Sequence, residues 1–143
     1  MKIIITGSAG FIGFYLAKEL LKKKYNVYGI DNFNDYYSPS LKKERIKILK
    51  KYKSFQFKLL DLKNYKKSYN VIKKIKPNCI YHLASQPGIM YSFKNPKTYR
   101  RNNIDVTMNL IKICKKIMPE KFYFTSSSSV YGNQKKYPFR ENY

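Results

Sequence analysis

The sequence predicts an α/β fold built on one parallel sheet. Three observations point there. Five short apolar runs, rich in β-branched and aromatic residues, are separated by stretches whose apolar residues recur at helical spacing. Gly7, Gly10 and Gly13 cluster at the first junction between a run and a helical stretch. Asp31 closes the second run. Strands alternating with helices imply right-handed crossovers, hence a parallel sheet.

Lys2 to Thr6 (KIIIT) is short and β-branched, a buried strand. Phe11 to Lys24 sets Phe11, Phe14, Tyr15, Ala17, Leu20 and Leu21 at helical spacing. Its lysine end suits the negative pole of a helix. Asn26 to Ile30 is the second strand. DNFNDYYSPS is a polar loop, and SPS opens a lysine-rich helix through about Lys51. Ser54 to Leu59 alternates, as a third strand does. Asn64 to Ile75 is helical and stops before Pro77, and Asn78 to Leu83 is strand four. ASQPGIMYSFKNP is expected to be a loop. It leads into one long helix from about Lys97 to Met118, ended by Pro119. Lys121 to Thr125 is strand five, followed by SSSSVYG and a polar tail. No repeat or linker interrupts residues 1–143, so one domain is expected.

A chain of 143 residues buries roughly two-thirds of its unfolded surface. It carries 30 Lys+Arg against 8 Asp+Glu, a net charge of +22. Such a field attracts nucleic acid, anionic lipid or phosphorylated ligands. The lysines, however, are spread over every candidate helix, Lys42 and Lys43 among them. They accompany many Asn, Ile, Tyr and Phe, residues that share A/T-rich codons. A nucleic-acid face concentrates its charge on one stripe. The lysines are therefore read as solvated faces, with no specific nucleic-acid partner. Cys79 and Cys114 stand apart in apolar runs beside a single histidine, His82, so no zinc site is expected. No signal peptide is visible and no run is long enough to span a bilayer. A cytoplasmic protein without a membrane partner is expected.

The glycines sit where strand one turns into helix one. Gly7 permits the tight turn, Gly10 lets a pyrophosphate approach bare backbone, and Gly13 lets helix and strand pack closely. Helix-terminal N–H groups and the helix dipole would hold the diphosphate. Asp31, at the end of strand two, is placed to accept from a ribose 2′-OH and to repel a 2′-phosphate. No arginine follows it closely in sequence, which favours NAD over NADP. The alternative for Asp31 is a turn-former in DNFND. A Rossmann-like sheet in the order 3-2-1-4-5, with helices on both faces, would accommodate this pattern. In that order Asp61 lies near an adenine. Accepting from the adenine amino group and capping the next helix remain equally open for it.

GSAGFIG, DNFNDYY, DL, HLASQPGIMYSFKNPKTYRRNNIDVTMNLI and TSSSSVYG, in this order, resemble the extended short-chain dehydrogenase/reductases. More narrowly they resemble the NAD-dependent nucleotide-sugar epimerases of the UDP-glucuronate 4-epimerase type. The resemblance implies hydride transfer from C4 of the sugar to NAD, and return to the other face. It also implies a tyrosine base tuned by a lysine, and a homodimer for the full-length protein. Residue by residue, it implies a phosphate loop of Gly7, Gly10, Phe11, Ile12 and Gly13. Asp31 and Asn32 would hold the adenosine ribose, Asp61 and Leu62 the adenine. Leu83, Ala84 and Ser85 would line the cofactor after strand four. Asn102, with Asn103 as rival, would contact it from the long helix. Ser127 takes the catalytic hydroxyl position, with Ser126 and Ser128 beside it. Met90 stands where arginine is usual in this subfamily, and Pro87 is unusual in its loop.

The family's Tyr-x-x-x-Lys pair is expected some twenty-odd residues beyond the serines. Two chance tetrads, Tyr69…Lys73 and Tyr131…Lys135, are rejected: the first sits on an outer helix, the second crosses a glycine. The sheet is thus expected to be incomplete at its C-terminus, without the sugar-binding region. The chain reads as an N-terminal portion that does not turn over sugar by itself. Rival readings are a UDP-glucose 4-epimerase, a dTDP-glucose dehydratase, a non-catalytic NAD-binding module and a basic nucleic-acid binder. Ser128 and Ser129 stand where a dehydratase carries acids, which disfavours dehydration.

Overall fold

Strand β1 (Lys2–Thr6) runs through the centre of a sheet of five strands in the computed structural model, which describes residues 1–142. Its three isoleucines are fully buried and alternate between two cores. Ile3 and Ile5 face α1 (Phe11–Lys22) and α2 (Pro39–Leu49); Ile4 faces α3 (Tyr65–Ile75) and α6 (Val106–Ile117). A strand covered on both faces needs apolar residues at successive positions, and Ile3, Ile4 and Ile5 supply them. The order is β3 (Phe55–Leu59), β2 (Asn26–Asp31), β1, β4 (Cys79–His82), β5 (Lys121–Phe124), every neighbouring pair parallel. The expected sheet order and the helices on both faces are therefore present. The order in which strands are laid down reverses between β1 and β4, and that switch opens a crevice at the strands' carboxyl ends.

The expected helical face of α1 needs correction at two positions. Gly13, Phe14, Ala17 and Leu21 are buried, but Phe11 and Tyr15 stay largely exposed, edge to face at 5.2 Å. The helix expected from Lys97 to Met118 keeps helical backbone through Arg100, Arg101, Asp105 and Val106 but is not α-helical throughout. Two short helices, α4 (Ile89–Lys94) and α5 (Pro96–Arg100), precede a π turn at Arg101–Asp105, and only then does α6 begin. Part of the expected loop is thus helical. Pro96 opens α5, because its missing N–H costs nothing in a first turn. Cys79 is buried and Cys114 half-buried, both unpaired. Among the described residues no helix is long and apolar enough to cross a membrane.

Candidate functional site

The crevice gathers the carboxyl ends of β1 to β4, and the turn after β1 forms its floor. Gly7 has φ +71°, a left-handed conformation natural to glycine, and its N–H donates to the Ile30 carbonyl at 2.8 Å. A methyl there would also press on the Ala84 backbone. A methyl on Gly13 would collide with the Gly7 carbonyl oxygen, so this glycine sets the approach of α1 to the turn. Gly10 is the N-cap of α1. It presents no side chain, no side-chain cap satisfies the first turn, and it lines the crevice. Bare amides at a helix N-terminus are the donor set for a diphosphate. The side chains of Phe11 and Ile12 are 66% and 61% exposed and stay out of the crevice, leaving only their backbone for an anion.

Asp31 makes the turn considered for it and also reaches the crevice. Its Oδ1 accepts the Phe33 N–H at 2.9 Å, which makes the turn; its Oδ2 accepts the Ala9 N–H at 3.1 Å, which ties β2 to the glycine turn. The carboxylate still lines the crevice, with Asn32 beside it. Asp61 and Leu62 line it from the end of β3. The capping alternative for Asp61 is excluded. Asn64 is the N-cap of α3, its Oδ1 accepting the Lys67 N–H at 3.0 Å. Asp61 instead accepts the Lys63 N–H and pairs with that lysine's ammonium at 3.3 Å.

Leu83, Ala84 and Ser85 line the opposite wall. The structure separates the two asparagines. Asn102 lines the crevice, whereas the Asn103 amide clasps the Gln86 backbone, accepting its N–H at 2.7 Å and donating to its carbonyl at 3.0 Å. Ser127 is not among the lining residues. It is exposed beyond β5 and caps a 3-10 turn, Ser128–Tyr131, by accepting the Ser129 N–H at 3.2 Å. Ser126 and Ser128 are exposed as well, as is Met90 on α4, while Pro87 reaches the crevice. Tyr131…Lys135 is interrupted by Gly132 at φ +58°, and Tyr69…Lys73 lies on α3 with the ammonium 5.5 Å from the ring centre. Neither pair lines the crevice.

Several crevice residues escape the sequence reading, Asn34, Tyr36, Tyr37 and Lys42 among them. Lys42, counted there among solvated lysines, is 4% exposed and lines the crevice. Its ammonium donates to the Asn34 carbonyl at 2.7 Å and to the Asn34 side chain, and lies 4.4 Å from the Tyr37 ring centre. Burial lowers its pKa, opposed by the charges of Asp31 and Asp35. Arg45 comes close too, donating to the Ala9 carbonyl and the Tyr37 hydroxyl, each at 3.1 Å. Both cations lie more than ten positions from Asp31, so a search for nearby positive residues misses them. Nothing in the local sequence sets Lys42 apart from Lys43. Among the described residues no cluster of His, Cys, Asp or Glu fits a metal ion.

The family model described as GDP-mannose 4,6 dehydratase matches residues 4–143. Protein CapI of Staphylococcus aureus is 43% identical over 139 residues, covering 97% of this chain and 41% of that protein. A probable UDP-glucuronate 4-epimerase of Rhizobium meliloti is 37% identical over 141 residues, covering 99% and 41%. The fold superposes on the crystal structure of a UDP-glucuronic acid 4-epimerase from Bacillus cereus in complex with UDP-glucuronic acid and NAD. The TM-score is 0.88 at 40% identity, over 99% of this chain and 45% of that one. The chain thus spans less than half the length of these relatives.

Proposed function

Because the chain belongs to the family described as GDP-mannose 4,6 dehydratase, among the extended short-chain dehydrogenase/reductases, we propose that it forms the NAD-holding part of a nucleotide-sugar C4 epimerase acting on a UDP-glucuronate-like substrate. The observation that carries this is the pairing of a side-chain-free helix N-terminus with a carboxylate fixed beside it by the Ala9 N–H. Those two features suit a diphosphate and an adenosine ribose, one turn apart. The residues fit the cofactor. Gly7, Gly10 and the backbone of Phe11, Ile12 and Gly13 would take the diphosphate. Asp31, Asn32 and the ammonium of Lys42 would take the ribose hydroxyls, and Asp61 with Leu62 the adenine. Leu83, Ala84, Ser85 and Asn102 would line the nicotinamide side. NAD, when bound, supplies the acceptor and donor of the C4 hydride. Ser127 would hydrogen-bond the sugar's 4-oxygen from beyond the end of β5, the neighbour of β4.

Calorimetric titration of the 143-residue chain with NAD tests the reading. Wild type binds, and Asp31→Ala weakens binding at least tenfold, the loss of a charge-assisted hydrogen-bond pair. Equal affinity for both removes the assignment. Neither tyrosine–lysine tetrad lines the crevice, so the same protein is expected to produce no epimer from UDP-glucuronate.

A further inference from the structure

His82 is 2% exposed at the end of β4, with Phe122 and Phe124 of β5 beside its ring. Both ring nitrogens are engaged. Nδ1 lies 2.8 Å from Thr6 Oγ1 on β1, and Nε2 lies 3.0 Å from Thr107 Oγ1 on α6. The direction of every bond follows from counting hydrogens. The Thr107 hydroxyl has one hydrogen and gives it to the Asn103 carbonyl at 2.6 Å, an oxygen that can only accept. Thr107 therefore accepts from His82, and Nε2 carries the proton. Nδ1 is then bare and accepts from the Thr6 hydroxyl, which in turn accepts the Ala84 N–H at 3.2 Å. One directed chain runs from the Ala84 amide, through Thr6, His82 and Thr107, to Asn103.

The chain ends in the π turn. There the Val106 N–H donates to the Arg101 carbonyl, five residues back instead of four. Within this widened turn Asn102 faces the crevice while Asn103 grips Gln86, whose neighbours Ser85 and Pro87 also line it. One end of the chain thus terminates on the crevice wall at Ala84, the other on Asn103, next in sequence to the lining residue Asn102. A buried network with every member satisfied holds one arrangement against alternatives.

We propose that His82, as the neutral Nε2–H tautomer, is a positioning residue for cofactor binding, locking the π turn onto the loop after β4 so that Asn102 and the 84–87 backbone face the crevice together. This rests on the cofactor reading above but is testable apart from it. Nitrogen-15 spectra of the ring at neutral pH should show Nε2 protonated and Nδ1 bare; the opposite tautomer overturns the chain. Thr107→Val keeps the shape and deletes the link. It should speed hydrogen exchange at the Gln86 amide relative to the amides of β1, and weaken NAD binding about fivefold, the worth of one buried hydrogen bond. Thr107→Ser should restore both. Unchanged Gln86 exchange, unchanged affinity, or failure of the serine to rescue overturns the proposal. If wild type binds no NAD, the cofactor reading falls, while tautomer and exchange still decide whether the lock exists.

Discussion

At Gly13 a single hydrogen atom decides how close α1 stands to the turn after β1. A β-carbon would meet the Gly7 carbonyl oxygen, backbone that cannot swing aside. Gly13→Ala is therefore expected to lower unfolding free energy by about 2 kcal/mol, the scale of overpacking in a dense interior. Alanine's better helix propensity is worth only about 1 kcal/mol in the other direction. Urea midpoints for the two proteins measure the difference, and an alanine variant as stable as wild type would refute the packing role. A β-carbon on Gly10 would meet the same Gly7 oxygen less closely, at 3.0 Å, and Gly10 faces the crevice. Spacing assigns three glycines to one motif, and the contacts give each a separate task. Asp31 shows the same division. Two hydrogen bonds to backbone amides fix its carboxylate, and the group that forms the turn is also the one that lines the crevice.

Among the elements, the junction of β1, β4 and α6 carries the pH sensitivity. Burial pulls the pKa of His82 to about 4, against 6.5 for a free imidazole. The groups that face it are Thr6 from β1, Thr107 from α6, and Phe122 and Phe124 from β5, none of them charged. Above pH 6.5 the ring is neutral whether folded or not, and the native state carries no penalty. As pH falls from 6.5 to about 4 the unfolded chain takes up a proton that the folded chain refuses, so stability drops. The drop amounts to about 3 kcal/mol and ends below the folded value. Unfolding midpoints measured across that window should fall as the solution is acidified, and a flat profile would contradict the buried neutral ring. Helix periodicity finds α1, α2, α3 and α6, because their apolar faces meet a sheet. It does not separate α4, α5 and the π turn. At the widened turn the Thr107 hydroxyl and the Asn103 amide meet groups distant in sequence, contacts that no periodic pattern records.

For the whole molecule, the net charge of +22 is dispersed and nearly unpaired. Among the described residues three ion pairs occur, all on exposed side chains. Such pairs contribute little, so self-repulsion dominates the electrostatics of the folded state. Added salt that shortens the screening length from about 30 to about 10 Å should raise the melting temperature. A melting temperature that stays level or falls would mean that attraction between specific charges outweighs the general repulsion.

Three features of the molecule were legible in its amino-acid order: a parallel sheet, a glycine turn after β1, and an acid at the end of β2. Each depends on residues close together in sequence, whose spacing is itself the geometry. Lys42 in the crevice wall, Asn102 rather than Asn103 facing inward, Asn64 rather than Asp61 as the cap of α3, and the directed chain through His82 were decided by the tertiary structure alone. In each of these, except the cap, the deciding partner lies on another element. In the cap it lies in the choice between two acceptors three residues apart. A side chain's burial and hydrogen-bond direction become defined only when the sheet brings the elements together.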